Sequence, residues 1–195
     1  MNIMKRIITL IIFICIYTIS FAQEVVDRWN EETSIYQNYK YNFSWVLNRE
    51  LTWVRQPLVQ KNAVFGAVNP ETNAVAYVVI ENKNVGSDIW QHYEQEKINT
   101  QNAIKNSSMD IKLLVFDKCR FACKNAIYME TLSSYSNDSR NPMQMFFNTI
   151  SYLVYNNNLI YSISIMVNKE LRDSLSEEGI EIKDMFFSGW LFDAQ

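Results

Sequence analysis

The chain has 195 residues, 20% of them charged, with a formal net charge of −3 and a single histidine. That is one domain's worth of sequence, with enough apolar residues for a sizeable core. A mildly acidic chain without clustered basic residues lacks the footprint of a nucleic-acid binder, and it lacks the charge to hold an anionic lipid surface.

Residues 1–22 read as an export signal. Lys5 and Arg6 form a basic n-region, and 7–19 is an apolar core too short to span a bilayer comfortably. Ser20, Phe21 and Ala22 then place small residues where a signal peptidase reads. A lipoprotein needs a cysteine just after a small residue, whereas Cys15 follows Phe13 and Ile14. Cleavage leaves a mature chain starting at Gln23, more acidic than its precursor and with no stable membrane span. The expected location is the periplasm or the outside of a bacterial cell.

Residues 23–38 are polar and aperiodic, a lead-in to a single domain over 39–195. Tyr41, Phe43, Trp45 and Leu47 alternate with Asn42, Ser44 and Val46, the pattern of a half-buried strand. Trp53 is expected to pack back as a plug. A strand over 63–68 and turn chemistry over 69–73 lead into the organising stretch, 74–106. There, 75–80 is apolar on both alternating faces, as in a central strand with both sides covered. Ser87 and Asp88 offer an N-cap, and Ile89, Trp90, Tyr93, Ala103 and Ile104 fall on one side of a helical period.

A strand opens at Ile111 and runs on toward Cys123, a turn is expected at Lys124 and Asn125, and 126–135 returns. Segments 145–155 and 159–167 flank Asn156, Asn157 and Asn158, the strongest hairpin signal in the chain. Residues 169–187 read as a helix interrupted at Gly179, and 188–192 as a short edge strand. The fold class that follows is α+β: a mostly antiparallel sheet of about six to seven strands packed by two helices.

Tyr39-Lys40-Tyr41-Asn42-Phe43-Ser44-Trp45 resembles the opening "Y-x-F-S" strand of the PsbP-like superfamily, and Trp53 is similar to the tryptophan of that family's following turn. Phe186-Phe187-Ser188-Gly189-Trp190-Leu191-Phe192 resembles its closing "S-hydrophobic-F" segment. The resemblance implies an α/β/α sandwich and a non-catalytic accessory or binding role. It carries over no functional residue, because the matched positions are packing positions.

Few residues carry chemistry. Asp88, His92 and Glu96 sit at i, i+4 and i+8, so on a continuous helix they share a stripe. Imidazole between carboxylates can hold a divalent cation or act as a tuned base, or it can be a solvated helix edge. Cys119 and Cys123 do not make the C-x-x-C redox motif, and as residues four apart on one strand they lie about 13 Å apart, beyond disulfide reach, so they are expected to be unbonded. Glu177, Glu178, Glu181 and Asp184 read either as a carboxylate cluster or, the better reading, as charge dressing a helix N-terminus. With four glycines in the whole chain there is no phosphate-cradling loop, and no cofactor is implied.

The function expected is an exported, non-catalytic binding or assembly module with a protein partner. Two alternatives are a carrier for a small apolar ligand between sheet and helix, and a metal- or histidine-dependent enzyme at Asp88, His92 and Glu96. The mature N-terminus is predicted at Gln23, and intact-mass measurement of the exported protein checks it. A chain retaining Met1, or a lipid on Cys15, rules it out.

Overall fold

The computed structural model describes residues 26–56, 62–82, 88–136 and 144–192. The export signal and the mature start at Gln23 lie outside them. Strands β1 (Asp27–Asn30), β2 (Ile35–Asn38) and β3 (Phe43–Val46) form an antiparallel meander, extended by β11 (Trp190–Phe192) on the far side of β3. The segment expected to drape as a lead-in therefore supplies two paired strands. Tyr36 is fully buried and stacks on Phe65 at 4.2 Å, and Trp29 meets the same ring at 5.7 Å. Strands of four residues hold too few alternations to register as periodicity, and their apolar anchors are single aromatics.

The second sheet is fully antiparallel and seven-stranded. Its spatial order is β4 (Val54–Arg55), β5 (Ala63–Val68), β6 (Val75–Asn82), β10 (Leu159–Asn168), β9 (Gln144–Asn156), β8 (Lys124–Ser136) and β7 (Asp110–Phe121). The stretch expected as the central strand, β6, is interior, and β10 holds the midpoint. Both faces of β10 are covered: Ile163 and Ile165 are fully buried on one, and Ser164 on the other meets Ser151 Oγ to Oγ at 2.8 Å. Asn157 and Asn158 take φ of 51° and 60°, the pair of left-handed residues a two-residue hairpin turn needs.

The β7–β8 turn lies at Ala122 and Cys123, with φ of 45° and 63°, rather than at Lys124 and Asn125. Neither residue favours that conformation. The register running from Phe121↔Lys124 back to Asp110↔Ser134 fixes the turn position and overrides local preference. Arg120 ties the turn down, donating to the Cys123 carbonyl at 3.0 Å and to Asn125 Oδ1 at 2.7 Å.

Asp88 caps a 3₁₀ turn at Ile89–His92, its Oδ1 accepting from the Trp90 amide at 3.0 Å, and α1 (Tyr93–Lys105) follows. Ile89 is fully buried, Trp90 Nε1 donates to the Ala126 carbonyl at 2.8 Å, and the Tyr93 hydroxyl donates to the Phe116 carbonyl at 2.6 Å. Beyond that first turn the expected packing stops: α1 buries no residue, and Ala103 is exposed. The intervening residues are nearly all polar, so the element is anchored at its N-terminal end.

After β10, Asn168 caps α2 (Lys169–Glu177) by accepting from the Leu171 amide at 2.7 Å. The helix breaks at Gly179, φ 72°, and α3 (Ile182–Phe187) follows. Leu175, Ile182 and Phe186 join the main core with the small sheet, on one face of the large sheet. Ile89 and α1's Tyr93 pack with Phe116, Ile127 and Tyr155 in a separate cluster on the other face. The layering is α/β/α, with the four-stranded sheet sharing one outer layer.

The two glycines after β10 work by different physics. A Cβ on Gly189 would lie 2.2 Å from the Val46 carbonyl oxygen, in the place where the Val46 amide donates to the Gly189 carbonyl at 2.9 Å. Gly189→Ala is expected to lower the urea midpoint by the equivalent of about 1–3 kcal/mol, the usual size of an overpacking strain. A Cβ on Gly179 meets nothing within 4 Å, so Gly179→Asn, which tolerates the left-handed region, is expected to stay near wild type. Equal tolerance of both changes would show that β3 and the C-terminal segment do not approach this closely.

Candidate functional site

A cleft of about 630 Å³ opens between the C-terminal end of β7, the start of β8 and the segment running from α3 into β11. Alternation along β7 points Asp117, Cys119 and Phe121 to this face, and the Tyr128↔Tyr152 pairing brings a tyrosine each from β8 and β9 to the same side. Phe121 stacks on Tyr152 at 4.2 Å and 16°, and Phe187 meets Tyr152 edge-on at 4.9 Å. Trp190 forms the innermost wall; it is 3% exposed, and its Nε1–H finds no acceptor among the described residues.

The interior is uncharged and the rim is not. Burial pushes the Cys119 thiol up to about 11, with Asp117 adding to it. Burial, then Glu130, pushes the Tyr128 phenol up to about 12, and Tyr152 is raised further by burial, with Cys119, Tyr128, Asp184 and Glu181 all acting in the same direction. On the rim, Lys183 pairs with Glu181 at 2.5 Å, and the Arg120 guanidinium is held by Asn125 and the Cys123 carbonyl at the turn. Asp117 and Asp184, both exposed, form no ion pair among the described residues.

His92 and Glu96 both meet Tyr155, and Asp88 lies apart from them. The chain between Asp88 and Tyr93 is a 3₁₀ turn, with three residues per turn, and the helical period starts after it. The Asp88 carboxylate accepts from Asn125 Nδ2 at 3.0 Å as well as from the Trp90 amide, and these two bonds hold it below the usual range. The His92 ring lies 5.8 Å from Tyr155, whose hydroxyl donates to Glu96 Oε1 at 3.1 Å. This arrangement sits on the opposite face of the large sheet from the cleft. Among the described residues no three His, Cys, Asp or Glu side chains are grouped as a metal site.

Cys119 and Cys123 both carry free thiols, the first half-buried in the cleft and the second exposed on the turn. The cleft residues Asp117, Phe121, Tyr128, Tyr152 and Trp190 were not singled out by sequence reasoning. Alternation along β7 was the available signal for Asp117 and Phe121, but nothing local says that Trp190 faces them.

The two thiols should differ in reactivity, because alkylation proceeds through the thiolate. Brief iodoacetamide treatment of the native protein at pH 8, followed by peptide mapping, is expected to modify Cys123 and leave Cys119 largely intact. Labelling of Cys119 at the faster rate would show that the cleft floor is not closed as described.

No known protein family matches the chain by sequence profile, and no curated protein matches it by sequence. Among solved structures, cyanobacterial PsbP (CyanoP) from Synechocystis aligns over 88% of this chain and 95% of its own, with a TM-score of 0.53 at 8% identity. The yeast Ran-binding protein Mog1p aligns over 84% of this chain and 96% of its own, with a TM-score of 0.49 at 9% identity. A Bacteroides thetaiotaomicron protein aligns over 79% of this chain and 46% of its own, with a TM-score of 0.48 at 10% identity. The resemblance read from the strand at Tyr39 and the closing segment thus extends to the architecture: the chain has a PsbP-like α+β fold.

Proposed function

We propose that the chain is an exported binding module, with no chemistry of its own, that engages a protein partner. The observation that carries this reading is the cleft beside the β7–β8 turn: an aromatic floor with neutral phenols and a neutral thiol, ringed by charge. Stacked and edge-on aromatics supply contact area, while groups whose protonation is held far from neutral do not trade protons at physiological pH. No helix among the described residues is long and apolar enough to cross a membrane.

A second reading has its own support. About 630 Å³ falls within the roughly 300–1,000 Å³ of small-molecule sites, so the same cleft suits a carrier of a small apolar ligand.

Two measurements on the exported protein separate these readings. A photocrosslinking residue placed at Lys183, on the cleft rim, is expected to give a discrete adduct with a protein in exporting cells. The same residue at Glu71, an exposed turn position, is expected to give none. A thermal-shift screen runs alongside. A rise in melting temperature with apolar ligands, and no adduct, would favour the carrier. A rise with one divalent cation, lost on replacing Asp88, His92 and Glu96, would replace both readings with a metal site.

A further inference from the structure

We propose that the cleft seats a lysine or arginine side chain of an extended partner segment; this rests on the binding-module reading and names what that module recognises. Three observations point to it. Aromatic rings carry negative charge density on their faces and attract organic cations, and Phe121, Tyr128, Tyr152 and Phe187 line one volume, with Phe121 stacked on Tyr152. At the mouth three carboxylates, Asp117, Glu181 and Asp184, outnumber two cations, Lys183 and Arg120; Lys183 pairs with Glu181, while Asp117 and Asp184 form no ion pair among the described residues. Asp184 and Glu181 also raise the Tyr152 phenol, after burial as the main cause.

The third observation concerns the form of the partner. β7, whose last residues wall the cleft, is the outer strand of the large sheet, and no described strand pairs with its far edge. Its first half is guarded by a bulge between Leu113 and Val115 and by Lys112, devices that discourage pairing. Its second half, next to the cleft, keeps an unbroken register from Val115 to Phe121 and carries the exposed Lys118 and Arg120. An extended segment paired there places alternate side chains toward the cleft face.

The test uses the ¹⁵N-labelled full chain and blocked pentapeptides of sequence Thr-Val-Xaa-Val-Thr, where Xaa is lysine, norleucine or glutamate. Binding is read from the Trp190 indole resonance. The lysine peptide is expected to bind at least tenfold more tightly than the norleucine peptide, which has the same reach and no charge. Asp117→Asn combined with Asp184→Asn, both at exposed positions, is expected to remove that difference. Equal binding of lysine and norleucine peptides overturns the cation assignment while the cleft remains a binding site. Tighter binding of the glutamate peptide reverses it. Free n-butylammonium binding as tightly as the lysine peptide overturns the extended-segment part. No peptide shifting the Trp190 resonance overturns this inference, whereas the crosslink from Lys183 tests the binding-module reading separately.

Discussion

The pairing of β11 with β3 is the contact on which the functional face depends. Trp190↔Trp45, Leu191↔Ser44 and Phe192↔Phe43 carry the C-terminal segment back across the chain to a strand formed near its start. The join is made of aromatic rings: Phe43 stacks on Trp190 at 4.6 Å, Trp45 lies edge-on to Trp190 at 5.6 Å and parallel to Phe187 at 5.9 Å. Trp45 is fully buried, and its Nε1 donates to the Phe186 carbonyl at 3.0 Å, so its one polar atom is satisfied inside the core. Truncating such a side chain costs about 3–5 kcal/mol by cavity and transfer effects alone. Because Phe186 and Phe187 end α3 and Trp190 begins β11, the same contact fixes the wall of the cleft.

A second anchor holds α2, and its energetics differ. Glu130, 7% exposed, accepts from Arg172 at 2.7 Å and from Asn148 Nδ2 at 3.1 Å. Removing Arg172 would leave a carboxylate buried with a neutral partner, the situation in which a broken ion pair is most expensive. Lys169 and Asp173, one turn apart on the same helix and both largely exposed, form a pair worth well under about 1 kcal/mol. The helix is therefore positioned by one shielded carboxylate on the sheet rather than by the number of charges along it.

The fold was legible where a pattern was local and long. β6 and β10 are apolar over many residues, Asn157 and Asn158 are turn formers in a turn, and the break expected at Gly179 is there with φ 72°. It was less legible where register overrides propensity, as at Ala122 and Cys123, and where strands are too short to show a period, as at β1 and β2. The candidate site was not legible. Helical spacing groups Asp88, His92 and Glu96; His92 and Glu96 do meet on Tyr155, but the cap and 3₁₀ turn take Asp88 away to the Trp90 amide and Asn125. The cleft unites Phe121, Tyr152 and Trp190, which no motif relates, because the β3–β11 closure is what brings them together.

The distribution of chemistry between the two faces of the large sheet bears on function. The single histidine, with Asp88 and Glu96 nearby in sequence, lies on the face covered by the 3₁₀ turn and α1, in contact with Tyr155. The cleft lies on the opposite face, where the groups lining the floor are a thiol and phenols raised by burial. A sheet layer separates them, so the imidazole cannot reach a group bound among the aromatics. Arg120 sits at the seam and is turned toward the first face, since Asn125 accepts from it and donates to Asp88. That chain of hydrogen bonds holds the Arg120 guanidinium at the β7–β8 turn, on the rim of the cleft. At the cleft mouth Asp117, Glu181 and Asp184 outnumber Lys183 and Arg120 around a floor of aromatic rings.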